Sequence, residues 1–382
     1  MKVHKKLRES LINTALVIAS IFVSLLLIEA YFAVFNPQLP VQNATRENEF
    51  NFFEYDSLLG WKNNPNAEGM FVTPNSTTLV KINSKGLRDK EYDYYKPEGT
   101  KRIIVLGDSF AWGYGVEVRE RFTEILKDKL PSNYEVINMG VSGYGTDQEL
   151  LALETEGVKY HPDLVIIMFY YGNDFEDNTH TVRYSYPKPM FVMDSDGNLN
   201  LTNIPVPTKE EWLERGKLEE ENGANQGVLA KLKNFFREHS QTYQVFSRAV
   251  QGSPFLLQLM EKIMPGIEGT IWDQYSLDLT KALLRKIDSV AQNNGAQTLV
   301  FIIRDTCISI SQNEALDKMA ADLSNSGKQN GIMVLDNLPL FRQHISQGEQ
   351  LTFNEGHWNY AGHKLAAEMI YRKLIEEGKF AN

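Results

Sequence analysis

Cysteine is almost absent: Cys307 is the only one among 382 residues. A lone thiol excludes an intrachain disulfide and any multi-cysteine zinc site. It leaves the compartment open, because exported chains can fold without bridges. Basic charge is also in short supply. With 39 Lys and Arg against 49 Asp and Glu, the formal net charge is −10, which argues against a nucleic-acid partner because phosphate contacts need basic surface. Histidine is scarce, at seven residues, and no ligand spacing points to a metal. No repeat or low-complexity tract interrupts the chain. The remaining composition, 42% hydrophobic and 23% charged, is ordinary for globular proteins and fits one large domain with additions, or two domains.

Long hydrophobic runs are missing as well, with one exception. Lys2, His4, Lys5, Lys6 and Arg8 precede an apolar stretch from Leu11 to Phe35, broken only by Asn13, Thr14, Ser20, Ser24 and Glu29. About 20 apolar residues span a bilayer. Residues 10–35 are therefore expected to form a single-pass transmembrane anchor, with residues 1–9 a basic cytoplasmic tail and the remainder exported to the periplasm or beyond. A cleaved signal peptide is the rival reading, but the run exceeds a signal-peptide core and no clean Ala-x-Ala site succeeds it.

Residues 36–100 read as an exported extension: a Pro-containing linker, then Leu59-Gly60-Trp61, a strand-like alternation from Gly69 to Ile82, and Gly86-Leu87-Arg88-Asp89. It holds too few apolar residues for its own core, so hairpins and loops packed on the rest of the chain are expected. Residues 101–382 then alternate strand and helix. Wholly apolar runs at Ile103–Leu106 and Leu164–Phe169, with further strand segments at Tyr134–Asn138, Thr298–Ile303 and Ile332–Leu335, predict five buried parallel strands. Between them, helices are expected over Arg119–Leu130, from a Thr146 cap with Glu149 completing a capping box, along Leu277–Ala291, around Asn313–Leu323, and from an Asn359 cap to Gly378. This is an α/β fold with helices on both faces of a parallel sheet. A large insertion, at about residues 178–274, comes after the third strand. It contains a hairpin turning at Asp196-Gly197, a charged helix Lys209–Glu221 and a further helix Val228–Arg237. Such an insertion is either a lid over the site or an added packing layer.

Gly107-Asp108-Ser109 ends the first of these strands. A serine at the carboxyl edge of a central strand is either a helix cap or a nucleophile. As a nucleophile it needs a base. His4 lies in the cytoplasmic tail, His161 at the wrong sheet edge, and His180, His239 and His344 in polar surroundings; His363 is read as solvated on the last helix. His357, in Asn354-Glu355-Gly356-His357, sits in a loop expected to return to the Ser109 edge. Glu355 or Asn354 could orient its imidazole. Donors for a developing oxyanion are the Ser109 N–H, the loop around Gly143, and Asn173 of Gly172-Asn173-Asp174. A dinucleotide cradle is the weaker reading of the Gly143 loop, since its glycine spacing is reversed. No cofactor is expected.

These four blocks resemble the SGNH (GDSL-like) hydrolase superfamily over Lys101 to about Leu374, the insertion apart. The resemblance implies a three-layer, flavodoxin-like fold, Ser109 as nucleophile, His357 as base, and Ser109, Gly143 and Asn173 as the oxyanion hole. The superfamily usually has Asp three residues before the histidine; Asn354 stands there, with Glu355 next to it. A carboxylate stabilises an imidazolium and an amide does not, which favours Glu355. The Leu59-Gly60-Trp61 and Leu87-Arg88-Asp89 segments, the Asp196-Gly197 hairpin and His357-Trp358-Asn359 look like a membrane-anchored bacterial subgroup. Members of it are similar to O-acetyl esterases and O-acetyltransferases of envelope or exported polysaccharide. The expected substrate is an ester, such as an acylated glycan. Acyl transfer to a sugar hydroxyl, or an inactive polysaccharide-binding or assembly subunit, are the alternatives.

Overall fold

The computed structural model describes residues 51–221, 274–304, 310–354 and 356–378, with isolated positions 20, 24, 29, 31 and 240. The expected anchor over residues 10–35, apart from those four positions, lies outside this range, as do the expected linker, helix Val228–Arg237, Cys307 and Glu355. Among the described residues no helix is long and apolar enough to cross a membrane. Residues 47–218 and 269–382 form one unit.

Two antiparallel hairpins open this unit: β1 (Phe53–Asp56) with β2 (Gly60–Asn63), and β3 (Glu68–Val72) with β4 (Thr77–Lys81). As their composition requires, they have no self-sufficient core. Phe52, Phe71, Val80 and Ile82 close around Trp112, which belongs to the following domain. Trp61 packs likewise against Tyr144.

The centre is a five-stranded, all-parallel sheet of β5 (Lys101–Gly107), β6 (Tyr134–Asn138), β7 (Leu164–Tyr170), β12 (Gln297–Ile303) and β13 (Met333–Asp336). The order β13-β12-β7-β5-β6 puts β5 and β7 inside, where both faces are covered. Accordingly, Ile103–Leu106 and Leu164–Phe169 are buried without alternation. Short β8 (Val182–Arg183), β9 (Tyr186–Pro187), β10 (Met190–Met193) and β11 (Leu199–Thr202) form two hairpins of the insertion, the second turning through Asp194–Asn198.

The helices are α1 (Ser109–Trp112), α2 (Phe122–Lys129), α3 (Thr146–Thr155), α4 (Asp174–Asp177), α5 (Lys209–Glu221), α6 (Gln274–Asn293), α7 (Ile310–Gln329), α8 (Leu338–Ser346) and α9 (Tyr360–Glu376). Two apolar clusters lie on opposite faces of the sheet. One gathers Leu150, Leu153, Leu283 and Ile287 from α3 and α6; the other gathers Phe122, Leu126, Ala366 and Ile370 from α2 and α9.

Three local expectations need correction. Thr146 does not cap α3: Gly145 holds the cap position and its N–H donates to the Gln148 side chain, while Glu149 is carried fully into the interior. Helix α7 runs well beyond Asn313–Leu323 at both ends. His363 is not solvated but 1% exposed, with Nδ1 accepting from the Phe122 N–H and the ring stacked on Phe122. Burial pushes its pKa down to about 3, the neighbouring Arg121, His357 and Arg88 adding to the effect. The Asn359 cap forms as expected, its side chain accepting from the Gly362 N–H.

Candidate active site

Strand β5 delivers Ser109 through a turn that only glycine fits. Gly107 has φ +154°, and a Cβ there would lie 2.7 Å from Ala111 Cβ and 2.8 Å from Met168 Cβ. Capping of α1 falls to Asp108, whose carboxylate accepts from the Phe110 N–H at 2.9 Å. The Ser109 hydroxyl is thereby left for another partner. At the far end of α1, Gly113 adopts φ +87°, and the Arg88 guanidinium donates to the carbonyls of Trp112, Gly113 and Val116. Arg88 is 1% exposed and lies over the Trp112 ring, so the N-terminal extension fixes the rear of the serine turn. Burial and then the Arg121 charge lower the Arg88 pKa to about 9.

Trp358 places the histidine. It is 2% exposed and packs among Phe110, Phe122, Phe301, Phe341 and His363. The loop is closed by Phe353 N–H donating to the His357 carbonyl and Asn359 N–H donating to the Leu351 carbonyl. The His357 ring stacks on Tyr114, with centroids 4.2 Å apart, and lies against Phe110. Its Nε2 stands 2.8 Å from Ser109 Oγ. Across 248 positions of sequence, the two residues are brought to one edge of the sheet. The other nitrogen, Nδ1, has no hydrogen-bond partner among the described residues. Asn354 is exposed at the turn and Glu355 lies outside the described residues. Desolvation pushes the imidazole pKa down to about 4, so the ring is neutral near pH 7.

The Gly143 loop comes after β6 and is held against the serine turn. Val141 N–H donates to the Gly107 carbonyl, and a Cβ on Gly140 would lie 2.6 Å from Trp112 N. Gly143 itself has φ +79° and is buried. On one side, Trp61 Nε1 donates to the Ser142 carbonyl; on the other, the Tyr184 ring leaves only 2.8 Å for a Cβ. Asn173 is 5% exposed, and its Nδ2 reaches Asp108 Oδ2 at 3.5 Å while its Oδ1 has no hydrogen-bond partner among the described residues.

Beneath these residues lies an acidic cluster that sequence reading missed. Asp108, Asp147, Glu149, Asp174 and Asp177 are each no more than 2% exposed. Lys188 pairs with Asp147, and Arg183 with Asp177 at 3.1 Å. Among the described residues Glu149 has no hydrogen-bond partner on either oxygen. Burial raises the pKa of Asp108 to about 6 and of Asp177 to about 7. It also raises Glu149 and Asp174 well above the ordinary carboxyl range, the Asp108 and Asp147 charges adding to the effect at Glu149 and the Glu149, Asp108 and Asp177 charges at Asp174. The sequence offers Glu149 only as the partner in a capping box with Thr146, and no local signal marks its burial. Among the described residues no group of His, Cys, Asp and Glu has the geometry to hold a metal. A separate cleft opens at the starts of β5, β6, β7 and β12, lined by Lys101, Tyr134, Asp163 and Gln297. It lies at the opposite edge from Ser109, where open α/β sheets do not place their chemistry.

Residues 105–204 match the GDSL-like Lipase/Acylhydrolase family. No curated protein matches the chain. Among solved structures it is similar to that titled TesA, at 14% identity and TM-score 0.38, covering 72% of this chain and 98% of that one. A lipolytic protein of the G-D-S-L family from Veillonella parvula is similar at 14% identity and TM-score 0.39, covering 72% and 97%. An acetyl xylan esterase is similar at 12% identity and TM-score 0.39, covering 71% and 98%. The matched residues take in Ser109, Gly143 and the Asn173 turn, and His357 closes on the serine from beyond them.

Proposed function

We propose that this esterase removes O-acyl groups from cell-envelope or exported polysaccharide, working from a membrane anchor with its catalytic domain outside the cytoplasm. The observation that carries the catalytic part is the 2.8 Å approach of Ser109 Oγ to His357 Nε2. With Nδ1 protonated, Nε2 takes the Ser109 proton as Oγ attacks the ester carbonyl. The carbonyl π bond opens to an oxyanion, received by the Ser109 and Gly143 N–H groups and by the Asn173 amide. Collapse expels the alcohol oxygen, which takes the proton from His357, and leaves an acyl-Ser109. Water, or a sugar hydroxyl in the case of transfer, then attacks with His357 again as base. A carboxylate on Nδ1, for which Glu355 is the candidate, would hold the tautomer.

The anchor and the glycan rest on sequence alone: the basic tail and apolar run at the N-terminus, and the likeness of the flanking segments to envelope O-acetyl esterases. Fluorophosphonate labelling of the purified full chain tests the catalytic part, with labelling expected in the wild type and lost in Ser109→Ala. Acetate release from an O-acetylated polysaccharide, with and without an acceptor sugar, tests substrate and acyl fate. A chain that neither labels nor turns over esters would be a binding or assembly subunit. A mature N-terminus beyond Ala30 would show that the anchor is removed.

A further inference from the structure

We propose that Tyr184, at the tip of the insertion's first hairpin, determines the acyl specificity of the site by walling off the oxyanion loop so that only short acyl groups fit. This rests on the esterase reading above. Tyr184 and Ser185 are the two central residues of the tight turn between β8 and β9, with Arg183 paired to Tyr186. Their φ angles are +52° and +64°, a conformation that hairpins ordinarily fill with Asn-Gly because other side chains resist it. A tyrosine held there against its preference needs a compensating role.

Its placement supplies one. The ring edge lies on Gly143, close enough that an added Cβ would stand 2.8 Å from Tyr184 Cε2. Gly143 is a proposed oxyanion donor, so the carbonyl of a bound ester comes within reach of that ring. Trp61 lies on the same glycine, its Cζ2 at 3.5 Å from the same Cβ position. The loop is thus gripped between the N-terminal extension and the insertion. The ring is locked as well as placed. The Arg183 guanidinium covers its face at 4.2 Å, Arg183 Nη2 donates to its hydroxyl oxygen at 3.0 Å, and Arg183 is itself tied to Asp177. A ring held in this way is a fixed wall rather than a side chain that swings aside for a long chain. Tyr184 remains 38% exposed, as a wall facing substrate must be.

The test compares kcat/KM for nitrophenyl acetate, butyrate and octanoate in the wild type, Tyr184→Ala and Tyr184→Phe. Loss of the wall should raise the octanoate-to-acetate ratio about tenfold or more, and Tyr184→Phe, which keeps the ring, should restore the wild-type ratio. Equal scaling of all three esters in Tyr184→Ala, or no change, would overturn the proposal while leaving the esterase reading intact. Failure of the wild type to hydrolyse any ester or to label with fluorophosphonate would overturn that reading and this proposal together.

Discussion

Ser109 Oγ and His357 Nε2 are 2.8 Å apart, while Nδ1 of the same imidazole has no hydrogen-bond partner among the described residues. A base in this state is poised by packing, between Tyr114 and Phe110. Desolvation alone sets its pKa at about 4. The imidazole must be neutral to accept the serine proton, so activity is lost as pH falls through that value. We expect kcat/KM to be half-maximal near pH 4, measured on an activated acetate ester with the fold monitored by circular dichroism. A limb shifted up toward the ordinary histidine value would reveal a carboxylate on Nδ1, and Glu355→Gln should then move it back down.

Asn173 is nearly buried, and among the described residues its amide nitrogen makes one long contact, to Asp108. If that amide receives the oxyanion, Asn173→Ala should lower kcat by about 10²–10³ with little change in KM. Steady-state kinetics beside an unchanged melting temperature would establish it. An unaltered kcat would remove Asn173 from the site.

Gly143 is constrained twice, by φ +79° and by the Tyr184 ring over its Cα. Gly143→Ala should therefore cost about 1–3 kcal/mol from backbone strain, plus a steric share. Only the steric share should return in Gly143→Ala combined with Tyr184→Ala. Urea unfolding of the four proteins of this cycle gives the coupling, and strict additivity would deny the contact.

The buried carboxyl cluster makes a prediction about stability. Raised folded pKa values mean that the interior favours the protonated forms. Their contribution is fully present below the unfolded carboxyl pKa of about 4. It is lost as pH rises through about 6 for Asp108 and about 7 for Asp177. His357 and His363, whose pKa values are depressed, act in the opposite sense and lose stability as pH falls. Substituting one acid isolates its share. Glu149→Gln should unfold at a higher temperature than the wild type at about pH 8 and flatten the fall in melting temperature across the range of these raised carboxyl values. Parallel curves for the two proteins would show that Glu149 is not part of that balance.

Much of the frame could be read along the chain. The unalternating apolar runs of β5, β7 and β12 belong to strands covered on both faces, because burial on both sides leaves no polar face to encode. Ser109 and His357 could be picked out because each lies next to a strand or helix boundary that local residues signal. Ser109 reads along the chain as either the cap of α1 or a nucleophile, and in the fold Asp108 takes the cap position.

Other features depend on contacts between distant segments, which no local pattern carries. His363 has the polarity of a solvated residue, yet Phe122 and Trp358 enclose it. Glu149 comes just after a helical start signal, yet α3 is buried around Thr146–Leu153 because sheet, α6 and insertion cover it from several sides. Arg88 and Tyr184 lie in segments of irregular sequence, and their importance comes from what they touch, the carbonyls behind Ser109 and the Cα of Gly143. The sequence by itself determined the parallel sheet and the order of the serine, glycine, asparagine and histidine blocks along it, since strand burial and turn residues are local signals. Only the tertiary structure decided which acids are buried beneath the serine and which ring covers the Gly143 loop, because desolvation and steric closure arise when residues far apart in the chain are packed together.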